Sequence, residues 1–321
     1  MTEAPHPEGG AISVTPSAAQ DDGDGRPDLL ATLAVTICPN PVFVIGSPRS
    51  GTSIVPWSLA HHPDFWTSRE TYFISMLFGG DRPVGNADEI YEAMRENQTT
   101  FLSHHDVSKR EFLSSLGLGI NALISRRSEG RRWVDQTPGY TGMAYVLAEM
   151  FPGAHFLHIL RDGRSVVNSM LHFGDLLDRQ QEGVAPPEWA GDFDESLRTW
   201  TTYVESALEF CAVYPDRALT VRNEDLLEHP EGEFERIFTF LGASYHQDPA
   251  NFFRTSRINS SFGPLVWGSP AEQHVGSRGE RIRVGNAADA WHEWNDEQRS
   301  SFIDDAGELM RRLGYFTEPA G

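Results

Sequence analysis

The stretch Pro41-Val-Phe-Val-Ile-Gly-Ser-Pro-Arg-Ser-Gly-Thr-Ser53 decides the fold of this chain. Its apolar run, Val42 to Ile45, predicts a buried parallel strand. A turn flanked by Gly46 and Gly51 follows, and residues 52–60 have the pattern of a helix. A strand, a glycine-flanked turn and a helix together can cradle a phosphate, because backbone N–H groups and the positive end of the helix point at the anion.

The polar residues of this turn indicate which anion it suits. The two glycines have Walker A spacing, but Thr52 stands where that motif needs the lysine that holds the outer phosphates of a nucleoside triphosphate. The cation is Arg49, inside the turn. The loop therefore predicts a phosphate or sulfate site and argues against ordinary use of ATP or GTP. The alternative is that this turn only connects the strand to the helix and that its glycines serve tight packing. The many polar residues in one short turn disfavour that interpretation.

Composition limits the class of protein. The chain has 321 residues, 39% of them hydrophobic, and a formal net charge of -20, which argues against a nucleic-acid partner. Two cysteines, Cys38 and Cys211, are too few for a disulfide framework, so a cytoplasmic location is expected. Neither a secretory signal nor a membrane span is visible, and no membrane partner is expected.

Domain organisation follows from the pattern along the chain. Residues 1-32 are rich in Ala, Pro, Gly, Asp and Ser and are predicted to form a disordered N-terminal tail, and 33-321 a single α/β domain. Strands alternate with helices, which predicts an α/β, P-loop-like three-layer fold with a central parallel sheet of four to five strands. Strands are expected at 42–45, 132–135, 155–160 and 218–222, a mobile lid at 174–192, and a closing helix at 291–313.

A second strand also ends on a cation. Arg161 follows the apolar run 156–160, and Ser165 and Ser169 lie one helical turn apart behind it. Open α/β sheets bind ligands at the carboxyl ends of their strands, and an arginine fork with a hydroxyl suits a second phosphate. A structural Arg-Asp pair, formed with Asp162, is the alternative interpretation.

These motifs resemble those of one family. Gly46 to Ser53 is similar to the 5′-phosphosulfate loop of sulfotransferases that use 3′-phosphoadenosine-5′-phosphosulfate (PAPS), and 161–169 resembles their 3′-phosphate motif. The stretch 221–226 resembles a structural signature of the fold, with Asn223 where the family usually has tyrosine. Arg283 lies in a segment similar to the C-terminal loop that completes the 3′-phosphate site. The resemblance covers roughly residues 40–315.

The resemblance implies a donor, a product and their ligands. PAPS would be the donor and the 3′,5′-bisphosphate PAP the product, with no metal, since arginines and backbone dipoles supply the positive charge. The implied residues at the 5′ side are Arg49, Ser50, Gly51, Thr52 and Ser53, and those at the 3′ side are Arg161, Ser169 and Arg283. Arg49 would also act in catalysis.

A general base must take the proton of the acceptor. The stretch 60–71 resembles the segment of tyrosylprotein and related Golgi sulfotransferases that carries a glutamate base, and on that register the base is Glu70. His61 and His62 are the other candidates, and an exposed carboxylate paired with Arg69 is the structural interpretation of Glu70.

The expected reaction is in-line transfer of a sulfuryl group to a hydroxyl of a small-molecule acceptor, such as a bacterial secondary metabolite or a carbohydrate. Tyr72, Gln136 and Trp200 are the weak pocket candidates. In the relatives a lysine occupies the position of Gln136, so non-transfer chemistry on the same fold, a cyclase or isomerase, is the main alternative. A P-loop kinase and a non-catalytic binding protein are the others.

Overall fold

The computed structural model describes residues 37–78, 87–97, 100–174, 186–256 and 287–316. The predicted tail, Arg283 and most of the predicted lid lie outside these ranges. Among the described residues, no helix has the length and apolar character needed to cross a bilayer.

A five-stranded parallel sheet forms the centre of the molecule. Its strands are β1 (Val42–Ile45), β2 (Phe65–Thr67), β3 (Arg132–Asp135), β4 (His155–Leu160) and β5 (Ala218–Arg222), in the order β2-β3-β1-β4-β5. The strand β1 is buried along its whole length, as expected for an apolar run covered on both faces. The prediction of a parallel α/β sheet is confirmed.

Helices cover both faces of the sheet. They are α1 (Ile54–Leu59), α2 (Phe73–Phe78), α3 (Ala87–Glu96), α4 (Phe101–His104), α5 (Lys109–Ser128), α6 (Ala144–Met150), α7 (Gly163–Leu171), α8 (Phe193–Val213), α9 (Asn223–Glu228), α10 (Pro230–Leu241), α11 (Asp248–Thr255), α12 (Ala287–Glu293) and α13 (Asp296–Arg312). On one face α5, α6 and α8 pack against Phe43 and Phe156. On the other, α1, α10 and α11 pack against Val44 and Leu157, which gives three layers.

Two elements differ from the sequence-based expectation. The short strand β2 was not expected, because three residues at a sheet edge give little periodic signal. The predicted closing helix is two helices, α12 and α13. The second begins with a capping box in which Asn295 and Gln298 satisfy each other's backbone N–H groups, so the chain has a true helix start there.

Candidate functional site

The turn after β1 lies against the neighbouring strand β4. The register of the two strands pairs Ile45 with His158, so the turn starts beside the end of β4. A Cβ atom on Gly46 would come within 2.6 Å of the carbonyl oxygen of Ile159. Arg49 itself has a left-handed φ of 67°, which is uncommon for a residue other than glycine. Glycine is required where the loop approaches the sheet this closely.

A third strand contributes to the loop through Asn223. This residue begins α9, directly after β5, and is buried. A Cβ atom on Gly51, which has a φ of 90°, would lie 2.3 Å from the amide nitrogen of Asn223. Asn223 therefore packs closely against the loop.

The two arginine motifs meet at one place. Arg161 donates a hydrogen bond from Nη1 to the carbonyl oxygen of Arg49 over 2.9 Å, and Arg49 donates from Nε to Ser169 Oγ over 3.2 Å. The guanidinium of Arg49 also lies 4.7 Å from the ring centroid of Phe173. Burial, and then the charge of Arg161, lower the pKa of Arg49 to about 10, so it remains a cation at neutral pH. Two partly buried arginines therefore lie close enough for their charges to interact.

A second set of contacts holds Arg161 in place. The indole N–H of Trp200 donates to the carbonyl oxygen of Arg161 over 3.3 Å. Glu224 accepts from the backbone N–H of Asp162 at 2.9 Å and from the hydroxyl of Tyr315 at 3.0 Å. Burial lowers the pKa of Arg161, and the carboxylates of Glu224 and Asp162 act in the opposite direction.

Trp200 is thus a core residue, and its expected place in an acceptor pocket is wrong. Its side chain is fully buried and stacks on Phe302, with ring centroids 6.2 Å apart. A Cβ atom on Gly163 would lie 2.8 Å from its ring. The close approach of α7 to α8 therefore leaves no room for a ligand beside this indole.

Ser50 contributes a buried hydroxyl to the same loop. Ser50 is fully buried, and among the described residues its Oγ atom has no hydrogen-bond partner. Leaving a buried polar group unpaired costs about 1–3 kcal/mol. A bound phosphate or sulfate oxygen would relieve this cost, so the residues of the loop fit an anionic group. Thr52, next to Gly51, is also buried.

Glu70 lies in a turn between β2 and α2. The phenol of Tyr72 donates a hydrogen bond to Glu70, and the ring of Tyr72 is 48% exposed. The backbone N–H of Thr71 donates to Thr137 Oγ1 over 3.1 Å, which ties this turn to the turn that follows β3. Gln136 is half-buried in that second turn. The structure therefore brings the segments of Glu70, Tyr72 and Gln136 together.

The histidine candidates for the base have structural contacts. His61 Nδ1 lies 2.9 Å from the carbonyl oxygen of Trp57, and its ring stacks on Phe252. His62 is buried, and its Nε2 lies 3.0 Å from the carbonyl oxygen of Ser244. Both rings hold α1 against neighbouring elements.

A buried carboxylate at the end of β3 was missed by sequence reasoning. Asp135 is 4% exposed, and its Oδ2 accepts hydrogen bonds from Thr71 Oγ1 at 2.8 Å and Tyr140 Oη at 2.7 Å. Burial raises the pKa of Asp135 to about 6. The one signal in the sequence was an acid at the end of a predicted strand, and its partner Thr71 lies 64 residues away. Among the described residues, no group of three or more His, Cys, Asp or Glu side chains could hold a metal ion.

Comparison with known proteins agrees with this geometry. The chain is 24% identical over 275 residues to protein-tyrosine sulfotransferase A of Caenorhabditis elegans, which covers 85% of this chain and 67% of that protein. It is 33% identical over 108 residues to the omega-hydroxy-beta-dihydromenaquinone-9 sulfotransferase Stf3 of Mycobacterium bovis, over 33% of this chain and 28% of that protein.

A solved structure and a family profile complete the comparison. The crystal structure of mouse sulfotransferase SULT7A1 complexed with PAP matches with a TM-score of 0.50 and 15% identity, over 87% of this chain and 89% of that one, which supports the fold. The profile described as Sulfotransferase family matches residues 41–247, a range that contains both arginine motifs and Glu70. The chain therefore belongs to the sulfotransferase family and is an enzyme of that family.

Proposed function

We propose that this enzyme transfers the sulfuryl group of PAPS to a hydroxyl of a small-molecule acceptor and releases PAP. The observation that carries the proposal is the contact between Arg161 and the backbone of Arg49, which joins the two predicted phosphate motifs in one site. The mouse relative in the same fold was crystallised with PAP. The unpaired hydroxyl of Ser50 gives independent support for an anion in the loop.

Each end of the donor has its own set of residues in this proposal. Arg49, Ser50, Thr52, Ser53 and the backbone N–H groups around Gly51 hold the 5′-phosphosulfate. Arg161 and Ser169 hold the 3′-phosphate together with Arg283, which lies outside the described residues. Because the guanidinium of Arg49 also reaches Ser169, it connects the two subsites. Charge-assisted hydrogen bonds of this kind are the strong ones in proteins.

Glu70 acts as the general base. PAPS supplies an activated sulfuryl group when bound. Glu70 takes the proton of the acceptor hydroxyl as the acceptor oxygen bonds to sulfur and the bond between sulfur and the phosphate oxygen breaks. Arg49 neutralises the charge that appears on the leaving phosphate, and Gln136 donates a hydrogen bond where the relatives have lysine. Positioning and charge neutralisation supply most of the rate enhancement in this kind of transfer.

The acceptor is proposed as a small alcohol or phenol. The relatives are named as sulfotransferases of protein tyrosine and of an omega-hydroxy menaquinone, and both names include a group with a hydroxyl. Tyr72 is a candidate pocket residue, and its exposure and its hydrogen bond to Glu70 support this role. A cytoplasmic location and a bacterial secondary metabolite as acceptor remain part of the proposal.

A cyclase or isomerase is the second candidate, and Gln136 favours it. A neutral amide in place of the lysine provides less charge for a leaving phosphate, whereas Glu70 could still abstract a proton. This enzyme would retain the fold and would release no PAP.

Two measurements separate these candidates. Labelled PAPS is incubated with the enzyme and a pool of alcohols and phenols, and PAP binding is measured by calorimetry. Transfer of label to an acceptor, with PAP bound, is expected. PAP binding without any transfer or PAP release would support the cyclase or isomerase, and absence of PAP binding would overturn the donor assignment.

Glu70→Gln tests the base. We expect kcat to fall about 10²- to 10⁴-fold, the usual contribution of general-base catalysis, with unchanged PAP affinity, because the amide cannot accept the proton. The exposed carboxylate of Glu205, on α8, provides the matched control Glu205→Gln, which should behave as wild type. Equal activity of both variants would exclude Glu70 as the base.

A further inference from the structure

Three oxygen atoms form a closed triangle beneath the turn that carries Glu70. Asp135 Oδ2 lies 2.8 Å from Thr71 Oγ1 and 2.7 Å from Tyr140 Oη, and these two hydroxyl oxygens lie 2.8 Å from each other. Each side of the triangle is a hydrogen-bond distance. If both hydroxyls donate to Asp135 Oδ2, no hydrogen is left for the side between them. A proton on Oδ2 that donates to one hydroxyl frees the hydrogen of that hydroxyl for the third side, so three hydrogen bonds need a protonated Asp135.

The surroundings of this triangle disfavour a negative charge. Asp135 is 4% exposed and Tyr140 is fully buried, so water is largely excluded. Among the described residues, the titratable groups that act on Asp135 are Glu70, which is acidic, and Tyr140, with no arginine or lysine in that part of the chain. Burial is the largest cause of the raised pKa of Asp135, and the charge of Glu70 adds to it, whereas the hydrogen bonds from Tyr140, Thr71 and the backbone N–H of Gln136 lower it by less. An anionic donor nearby would act in the same direction as Glu70.

The triangle also holds the Glu70 turn from below. Thr71 is fixed twice, by its hydroxyl at Asp135 and by its backbone N–H at Thr137. The next residue, Tyr72, has a left-handed φ of 46°, a conformation that persists only when neighbouring contacts impose it. The phenol of Tyr72 in turn donates to Glu70. The anchor at Thr71 therefore determines where the carboxylate of Glu70 points.

We propose that Asp135 and Tyr140 are positioning residues for Glu70, and that the working form of their cluster is the one in which Asp135 carries a proton. This inference rests on the proposed role of Glu70 as the base. A neutral Asp135 completes the three hydrogen bonds and keeps a second negative charge away from Glu70 and from the anionic donor.

Substitutions at Asp135 test the positioning role. Asp135→Ala should lower kcat about 10- to 100-fold with unchanged PAP affinity, because small misplacements of a reacting group cost that much. Asp135→Asn, whose amide is neutral and can both donate and accept, should keep kcat within about threefold of wild type. If Asn is as damaging as Ala while both variants unfold at the wild-type temperature, the proposal is wrong.

Two pH measurements test the proton itself. The profile of kcat/KM for the acceptor should fall on its basic side in the wild type as Asp135 ionises, and Asp135→Asn should lack that limb. Infrared difference spectra between wild type and Asp135→Asn, recorded without substrate, should show a protonated carboxyl band that disappears with a midpoint near pH 6. Absence of that band at every pH at which the protein is folded would overturn the proposal.

The infrared measurement does not depend on turnover. If Glu70→Gln is fully active, the base assignment and the positioning role built on it fail together, whereas the band still reports whether Asp135 is protonated. If Glu70→Gln is inactive and the band is missing, the base assignment stands and the protonated cluster is the part that fails.

Discussion

At the scale of single residues, the buried hydroxyl of Ser50 lowers the free energy of unfolding as long as no anion is bound to it. Its buried hydroxyl has no partner among the described residues, so Ser50→Ala should leave the free energy of unfolding unchanged or raise it by up to about 1 kcal/mol. The same change should weaken PAP binding about 5- to 10-fold, because one hydrogen bond to the anion is lost. Denaturant unfolding and calorimetry measure the two effects.

Ser58→Ala is the matched control for Ser50→Ala. Ser58 is equally buried, but its hydroxyl donates to the carbonyl oxygen of Ile54 over 2.8 Å. This variant should lose about 1 kcal/mol of stability and bind PAP normally. Normal PAP binding by Ser50→Ala, together with a loss of stability, would show that the Ser50 hydroxyl does not face the anion.

Gly51 makes a second prediction at this scale. Both Gly51 and Gly130 have left-handed backbones, with φ of 90° and 81°, so alanine costs each position about 1–2 kcal/mol of strain. Only Gly51 would also place its Cβ against Asn223, whereas Gly130 has open space around it. Gly51→Ala should therefore reduce PAP affinity and stability more than Gly130→Ala does.

The double variant Gly51→Ala/Asn223→Ala tests whether contact with Asn223 causes the loss of PAP affinity in Gly51→Ala. Removing the amide of Asn223 should restore part of the lost PAP affinity, as measured by calorimetry. No recovery would mean that strain in the loop backbone, and not contact with α9, accounts for the effect.

At the scale of elements, α5 contains two glycines with opposite expected behaviour. A Cβ atom on Gly117 would lie 2.0 Å from the carbonyl oxygen of Met150 at the end of α6, and one on Gly119 would meet no atom within 4 Å. Gly119→Ala should stabilise the protein by about 0.5–1 kcal/mol through helix propensity. Gly117→Ala should destabilise it by about 1–3 kcal/mol, because the two helices must separate.

Thermal or denaturant unfolding of the two variants checks this prediction. Helix propensity is the same at both positions, since they lie two residues apart in one helix. Equal effects of the two substitutions would contradict the close packing of α5 on α6.

At the scale of the whole molecule, net charge opposes the approach of the ligand. The chain carries a formal charge of -20, and PAP is a polyanion, although the site itself contains arginines. The Debye length falls from about 30 Å at 0.01 M salt to about 10 Å at 0.1 M, so salt screens the distant charges more than the local ones. We expect the association rate constant of PAP to rise severalfold over this range.

Stopped-flow binding measures this rate, and adenosine, which has no phosphate, is the control. Its association should be independent of salt. A PAP rate that falls with salt would mean that the local arginines dominate the long-range field.

The local sequence was sufficient to predict the loop after β1 and four of the five strands of the sheet. The apolar run before Gly46 predicted a strand buried on both faces, and the residues around Arg49 predicted a phosphate or sulfate site. The break between α12 and α13 is also encoded by nearby residues, the capping box of Asn295 and Gln298. It was not predicted from the sequence, because the apolar periodicity continues across the break.

The sequence by itself determined the α/β class, the two arginine-tipped strands and the family, because these depend on contacts between near neighbours in the chain. Only the tertiary structure decided that Arg161 touches Arg49 across 112 residues, that Trp200 lies in the core, and that Asp135 lies beneath the Glu70 turn. Such contacts depend on strand order and helix packing, and burial then raises the pKa of Asp135, which no local pattern encodes.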